Sequence, residues 1–114
     1  MERNIIVYKQ HFIEFYSKLD NKTQLKVEYV LDLIRFEKRV PNKFFKHLSG
    51  TDGIYEIRIV TTFKSIRILC FLEEESLVVL VNCFLKKSQK TPRNEIRKAE
   101  HLKREYFFEK DGGK

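Results

Sequence analysis

The sequence predicts an α+β protein in the order β-α-α-β-β-β-α, an antiparallel sheet packed against an amino-terminal helix hairpin and followed by a carboxy-terminal helix. Three observations predict it. In the first third, apolar residues recur at three- and four-residue spacing, as on one face of a helix. From Ile54 the period changes to two, as in strands. The three strand-like runs that follow are joined by short polar turns, which makes them antiparallel neighbours.

Residues 4–8, NIIVY, are β-branched and aromatic and read as a strand. Phe12, Phe15, Tyr16 and Leu19 then mark one helical face. Asp20 and Asn21 break this helix and can cap the next, whose face is Val27, Val30, Leu31 and Ile34. That second helix fades by Arg39, because Pro41 biases Val40 away from helical dihedrals. Two such apolar stripes need a sheet to cover.

Residues 41–53 read as a connector made basic by Lys43, Lys46 and His47, with Phe44, Phe45 and Leu48 pinning it to the core. In the strand IYEIRIV, Tyr55, Ile57 and Ile59 face one way, and Glu56 and Arg58 the other. A turn at residues 61–65 leads to a strand opening near Arg67, and a turn at residues 74–76 leads to residues 77–86. This last run is the most apolar and reads as a central strand buried on both faces. Thr91 is expected as N-cap and Pro92 at the first helical position. Ile96, Ala99, Leu102 and Tyr106 form the inner stripe of a helix ending near Lys110.

A length of 114 residues suits one domain, placed at residues 1–110, with residues 111–114 as a flexible tail. Lysine and arginine number 23 against 16 acidic residues, a net charge of +7. That balance favours an anionic partner: nucleic acid first, an acidic protein second, a membrane surface third. No apolar run reaches the roughly 20 residues of a membrane span, and no secretory signal opens the chain, so a cytoplasmic location is expected. Cys70 and Cys83 lie in apolar runs without metal-ligand spacing, and read as buried free thiols. No metal or cofactor is expected.

The residues that could carry chemistry converge on the sheet. Glu56 and Arg58 share a strand face, Arg67 opens the neighbouring strand, and Lys86 and Lys87 end the third. Guanidinium groups grip phosphates in bidentate fashion and lysines act as point charges. Lys90 and Arg93 follow at the entrance of the last helix, whose amide donors also favour anions. Solubility alone accounts for exposed charges such as Lys90, Arg93, Arg97 and Lys98. It accounts less well for Arg58 and Arg67, which interrupt apolar strands.

The sequence also carries a resemblance. Lys46-x-Leu48, Gly53-Ile54-Tyr55-Glu56-Ile57-Arg58, Arg67, the run Phe84-Leu85-Lys86-Lys87-Ser88-Gln89-Lys90-Thr91-Pro92 and Glu95-Ile96-x-x-Ala99 together resemble the phage-derived RelE/HigB-like toxins of bacterial toxin–antitoxin pairs, over roughly residues 42–106. The resemblance implies a small α+β domain with a twisted antiparallel sheet. It implies cleavage of mRNA, usually on the ribosome, and neutralisation by an antitoxin that often carries a helix-turn-helix. Carried over by position, the catalytic candidates are Arg58, Arg67, Lys86, Lys87 and Glu56; the surrounding basic residues Lys43, Lys46, His47, Lys64, Lys90 and Arg93 are the RNA-binding candidates by their charge. Relatives often place a histidine or tyrosine near the end of the last strand. Here Phe84 and lysines stand there, and the general base stays open between Lys86, Lys87, Glu56 and His47.

Two other functions remain open at this stage. One is a toxin of the same fold that poisons a protein such as DNA gyrase by contact, as ParE relatives do. The other is a plain nucleic-acid-binding module. The lysine-rich strand end with Arg67 favours cleavage, and the lack of an alternating aromatic platform disfavours a general single-strand binder.

Overall fold

A computed structural model describes residues 2–112. The elements are β1 (Asn4–Val7), α1 (His11–Ser17), α2 (Asn21–Phe36), β2 (Phe45–His47), β3 (Ile54–Val60), β4 (Ser65–Glu74), β5 (Leu77–Leu85) and α3 (Arg93–Lys110). One five-stranded sheet runs in the order β1-β5-β4-β3-β2. The fold is the expected α+β arrangement, with three differences of detail.

The first is β2, which lies inside the segment expected to be a connector. Its three residues pair antiparallel with β3, Phe45 with Ile57, Lys46 with Glu56 and His47 with Tyr55. Three residues are too few for a period to show. The second is β1, which pairs with β5 in parallel, so the sheet is mixed. Arg3 secures the approach to this strand: its guanidinium donates to Ile34 O and Glu37 O, both at 2.8 Å, and to Lys38 O at 3.1 Å, closing the carboxy-terminal end of α2. The third is the position of β5, which is internal but second from an edge; β4 is the middle strand.

The sheet separates two cores, and the period of two decides which residue joins which. Ile57, Ile59, Ile66, Ile68, Cys70, Val78 and Leu80 meet Phe12, Val27, Val30, Leu31 and Ile34 of the helix hairpin. Ile54, Leu69, Phe71, Val79 and Val81 meet Ala99 and Leu102 of α3 on the opposite face. Val30, Ile34, Ile57 and Phe71 are fully buried, and the expected stripe of α2 is the observed one. In α3 Ala99, Leu102 and Tyr106 join the core as expected, Phe107 joins them, and Ile96 lines an open cleft instead. Cys70 is buried and Cys83 half-buried, and both are free. Residues 113 and 114 of the expected tail lie outside the described residues, and Asp111 and Gly112 form a turn. Among the described residues no helix is long and apolar enough to cross a membrane.

One irregularity shapes the far end of β5. Ile68 pairs with Cys83 but Cys70 pairs with Leu80, so β5 holds one extra residue opposite Leu69. Such a bulge reverses the facing of every residue beyond it. Val79 and Val81 point to α3, and so do Asn82 and Phe84. Unbroken alternation would have sent Phe84 and Lys86 to the hairpin side.

Candidate functional site

Glu56 is the centre of the site. It follows Ile54 on the α3 side of β3, in line with the second core, and it is fully buried. Arg58, two residues on, shares this face and donates Nε to Glu56 Oε1 at 2.9 Å. Arg67 pairs directly across the ladder with Arg58, and its Nε stands 3.5 Å from the same oxygen. The second oxygen, Oε2, accepts the hydroxyl of Thr91. A buried carboxylate with charged and hydroxyl partners is how a sheet interior tolerates an ion.

The strand arginines occupy different environments. Arg58 keeps a quarter of its side chain exposed, whereas Arg67 is buried, with Nη1 donating to Ser65 Oγ at 3.0 Å and Ile66 O at 3.1 Å. Burial pulls the Arg67 guanidinium below its usual value; Glu56 opposes this and Arg58 adds to it. Arg67 is therefore no surface charge that could be removed without effect on the fold. The reason is its register: it lies between Ser65 at the turn and Leu69 in the core.

Beyond the bulge, Lys86 reaches this same face, and its backbone N–H donates to Ser65 O at 2.7 Å. Burial first, then Arg67, lowers the Lys86 pKa from its usual value; Arg58 and Lys46 act in the same direction and Glu56 opposes. Lys46, on β2, is paired with Glu56 and so extends the face to the sheet edge. An open cleft of about 470 Å³ is lined by Ser65, Arg67, Lys86, Lys87, Ser88 and Gln89. The α3 helix covers only the other end of this sheet face, around Phe71 and Val79, which is why the basic end stays accessible.

Other expected residues stand apart. His47 pairs with Tyr55, on the hairpin side of the sheet, with its ring edge-on to Tyr55 at 5.1 Å. The sheet separates it from Glu56. Lys64 lies in the β3–β4 turn and pairs with Asp20 at 3.2 Å, again towards the hairpin. Lys43 precedes β2, with its ammonium 5.1 Å from the Phe44 ring. Lys90 is exposed in the loop after β5. Arg93 opens α3 beside a separate cleft lined by Ser49, Gly50, Thr51 and Glu100. Glu56 itself has no exposed surface, and both its oxygens are engaged by its neighbours.

Thr91 is the residue that sequence reasoning missed. It was expected to cap α3, but the cap position is held by Pro92 without a side-chain bond, and Thr91 turns to Glu56. A threonine before Pro-x-x-Glu is a local helix-start signal, whereas its true partner is 35 residues away. Among the described residues, no group of three or more His, Cys, Asp or Glu is gathered so as to hold a metal ion.

Comparison with known proteins sets this geometry in a family. The family described as phage derived protein Gp49-like matches residues 14–104, most of the chain. The chain belongs to this Gp49-like family. The fold of the Gp49-like chain is similar to that of a chain in the archaeal RelE–RelB complex from Pyrococcus horikoshii OT3. The TM-score is 0.52 at 15% identity, over 80% of this chain and 100% of that one. No curated protein matches this Gp49-like chain. The buried Glu56, the paired arginines and Lys86 all fall within the matched span.

Proposed function

We propose that this Gp49-like chain is a toxin of RelE type, an endoribonuclease that cleaves mRNA, on the ribosome, and so inhibits translation. The single observation that carries the reading is the convergence of Arg58, Arg67 and Lys86 on the one open end of the sheet face. Cleavage by attack of a ribose 2′-hydroxyl on the adjacent phosphate needs a proton acceptor, stabilisation of the charged phosphorane and a proton for the leaving 5′-oxygen. Arg58 and Arg67 face the phosphate. Lys86, its pKa lowered by burial and by Arg67, takes the 2′-hydroxyl proton in its neutral form. Lys87, exposed in the same cleft, gives a proton to the 5′-oxygen, and Lys46 on the same face and Lys90 on the same loop guide the RNA backbone.

The partners follow from charge and family. A chain of net charge +7 attracts RNA and the ribosome, and it equally suits an acidic protein surface. The archaeal neighbour was solved with RelB. On this reading a cognate antitoxin, of helix-turn-helix type, binds and neutralises the chain in the cytoplasm.

Mapping transcript ends after brief controlled expression tests the proposal. The expected result is new 5′ ends within translated regions, present for wild type and lost for Lys86→Ala. Growth arrest with intact transcripts and inhibited gyrase supercoiling would overturn it in favour of a ParE-like toxin.

A further inference from the structure

Thr91 stands where a helix cap is expected, yet its hydroxyl bonds Glu56 Oε2 in the interior of the sheet. The α3 helix begins without a side-chain cap, and the amides of Glu95 and Ile96 donate to Pro92 O at 3.1 and 3.2 Å. A helix start that forgoes its capping hydroxyl gives up stability that nothing nearby returns locally. The hydroxyl is used elsewhere, and the place of use is informative.

Residues 86–91 link β5 to α3 and hold Lys86, Lys87 and Lys90. Residues 87–90 are exposed. At its start the segment is fixed by Lys86 N to Ser65 O, and at its end by Thr91 to Glu56. Between these anchors Ser88 Oγ donates to Lys90 O at 2.9 Å. The loop is cationic and lines one cleft with Arg67, whose partner across the ladder is Arg58, so like-charge repulsion drives it away from the arginines. Glu56 is the anion between the two groups. One of its oxygens faces the arginines and the other receives the loop through Thr91.

We infer that Thr91 is a positioning residue: through Glu56 it holds the β5–α3 loop against the arginine pair, so that loop lysines and strand arginines form one phosphate-binding surface. The catalytic consequence rests on the endoribonuclease reading above. The tether itself does not.

The test compares Thr91→Val, which keeps shape and loses the hydroxyl, with Thr91→Ser, which keeps it. Amide hydrogen exchange at residues 86–90 reads the tether directly. Faster exchange in Thr91→Val and wild-type exchange in Thr91→Ser are expected. Turnover of RNA reads its consequence. For Thr91→Val kcat should fall by on the order of tenfold to a hundredfold, as for a group misplaced by about an ångström, with a smaller change in KM and an unshifted pH profile. Thr91→Ser should stay near wild type. Thr91→Ala leaves room for a water on Glu56 and serves if the valine variant does not fold. Unchanged loop exchange with unchanged kcat in a folded variant overturns the inference, as does a lower melting temperature with wild-type kcat. If the wild type cleaves no RNA, the endoribonuclease reading fails, and the exchange comparison still decides the tether.

Discussion

Arg58 and Arg67 stand directly opposite each other across the β3–β4 ladder and share one oxygen of Glu56: Arg58 Nε donates to it at 2.9 Å, and Arg67 Nε stands 3.5 Å away as an ion pair without a hydrogen bond. Like charges facing across strands repel. The carboxylate between them makes the pairing possible and leaves the group with a net positive charge. The site thus stays cationic while its interior is balanced.

Replacing Glu56 by glutamine should therefore destabilise the protein. The neutral isostere keeps the shape but leaves two facing guanidinium groups without their counter-charge. The expected loss is about 3–5 kcal/mol, as for breaking a buried ion pair. Urea unfolding at neutral pH measures it, and a loss under about 1 kcal/mol would show that Glu56 does not balance the arginines.

Arg67→Ala should lower stability as well as activity. Arg67 is 7% exposed and bonds Ser65 and Ile66, so its removal leaves buried acceptors unmet, at about 1–3 kcal/mol. Thermal unfolding followed by circular dichroism would show a drop in midpoint. An unchanged midpoint with activity lost would mean that the arginine is needed only by the RNA.

Lys86 gives the proposed reaction a pH signature. Its pKa is lowered from 10.5, by burial first and by Arg67 next. The neutral amine is the base, so the cleavage rate should rise with pH and level off at a value below 10.5. Lys86→Arg keeps a charge that does not dissociate, and should abolish this rise while RNA still binds. A wild-type rate that falls as pH rises would make Lys86 an electrostatic clamp.

Acid should weaken the docking of α3. Lys110 first, and Tyr106 next, hold the Glu73 carboxyl below its ordinary 4.5. A carboxylate with a lowered folded pKa adds stability that is complete above the unfolded value and lost as pH falls through the folded one. The stability gap between wild type and Glu73→Gln should be present at pH 7 and shrink as the pH drops below about 4.5. A gap independent of pH would remove the ion pair from the account.

Neither thiol should react in the folded protein. Burial raises both, and Cys83 is pushed up to about 12. A thiol reagent at neutral pH should modify no cysteine in buffer and two in denaturant. Rapid labelling of Cys83 in the native state would show that its strand end opens.

The helix hairpin, the strand at residues 54–60 and the inner stripe of α3 were legible because each is a periodic pattern of near neighbours. Val27, Val30, Leu31 and Ile34 announce a buried helical face whatever they pack against. The arginines that break apolar runs were equally legible as candidates for a site. β2 was hidden because three residues show no period, and the parallel partner of β1 because strand pairing is decided far along the chain.

What the sequence by itself determined was therefore the elements, their order and the set of cations available on strand ends. The tertiary structure alone decided which of those cations meet. The bulge in β5 turns Lys86 to the face of Arg67, the β2 register sends Lys46 to that face and His47 to the other, and the fold carries Thr91 to Glu56. The physical reason is that side-chain direction along a strand follows a local alternation only until a register shift reverses it. That shift belongs to the pair of strands, and neither strand's residues disclose it alone.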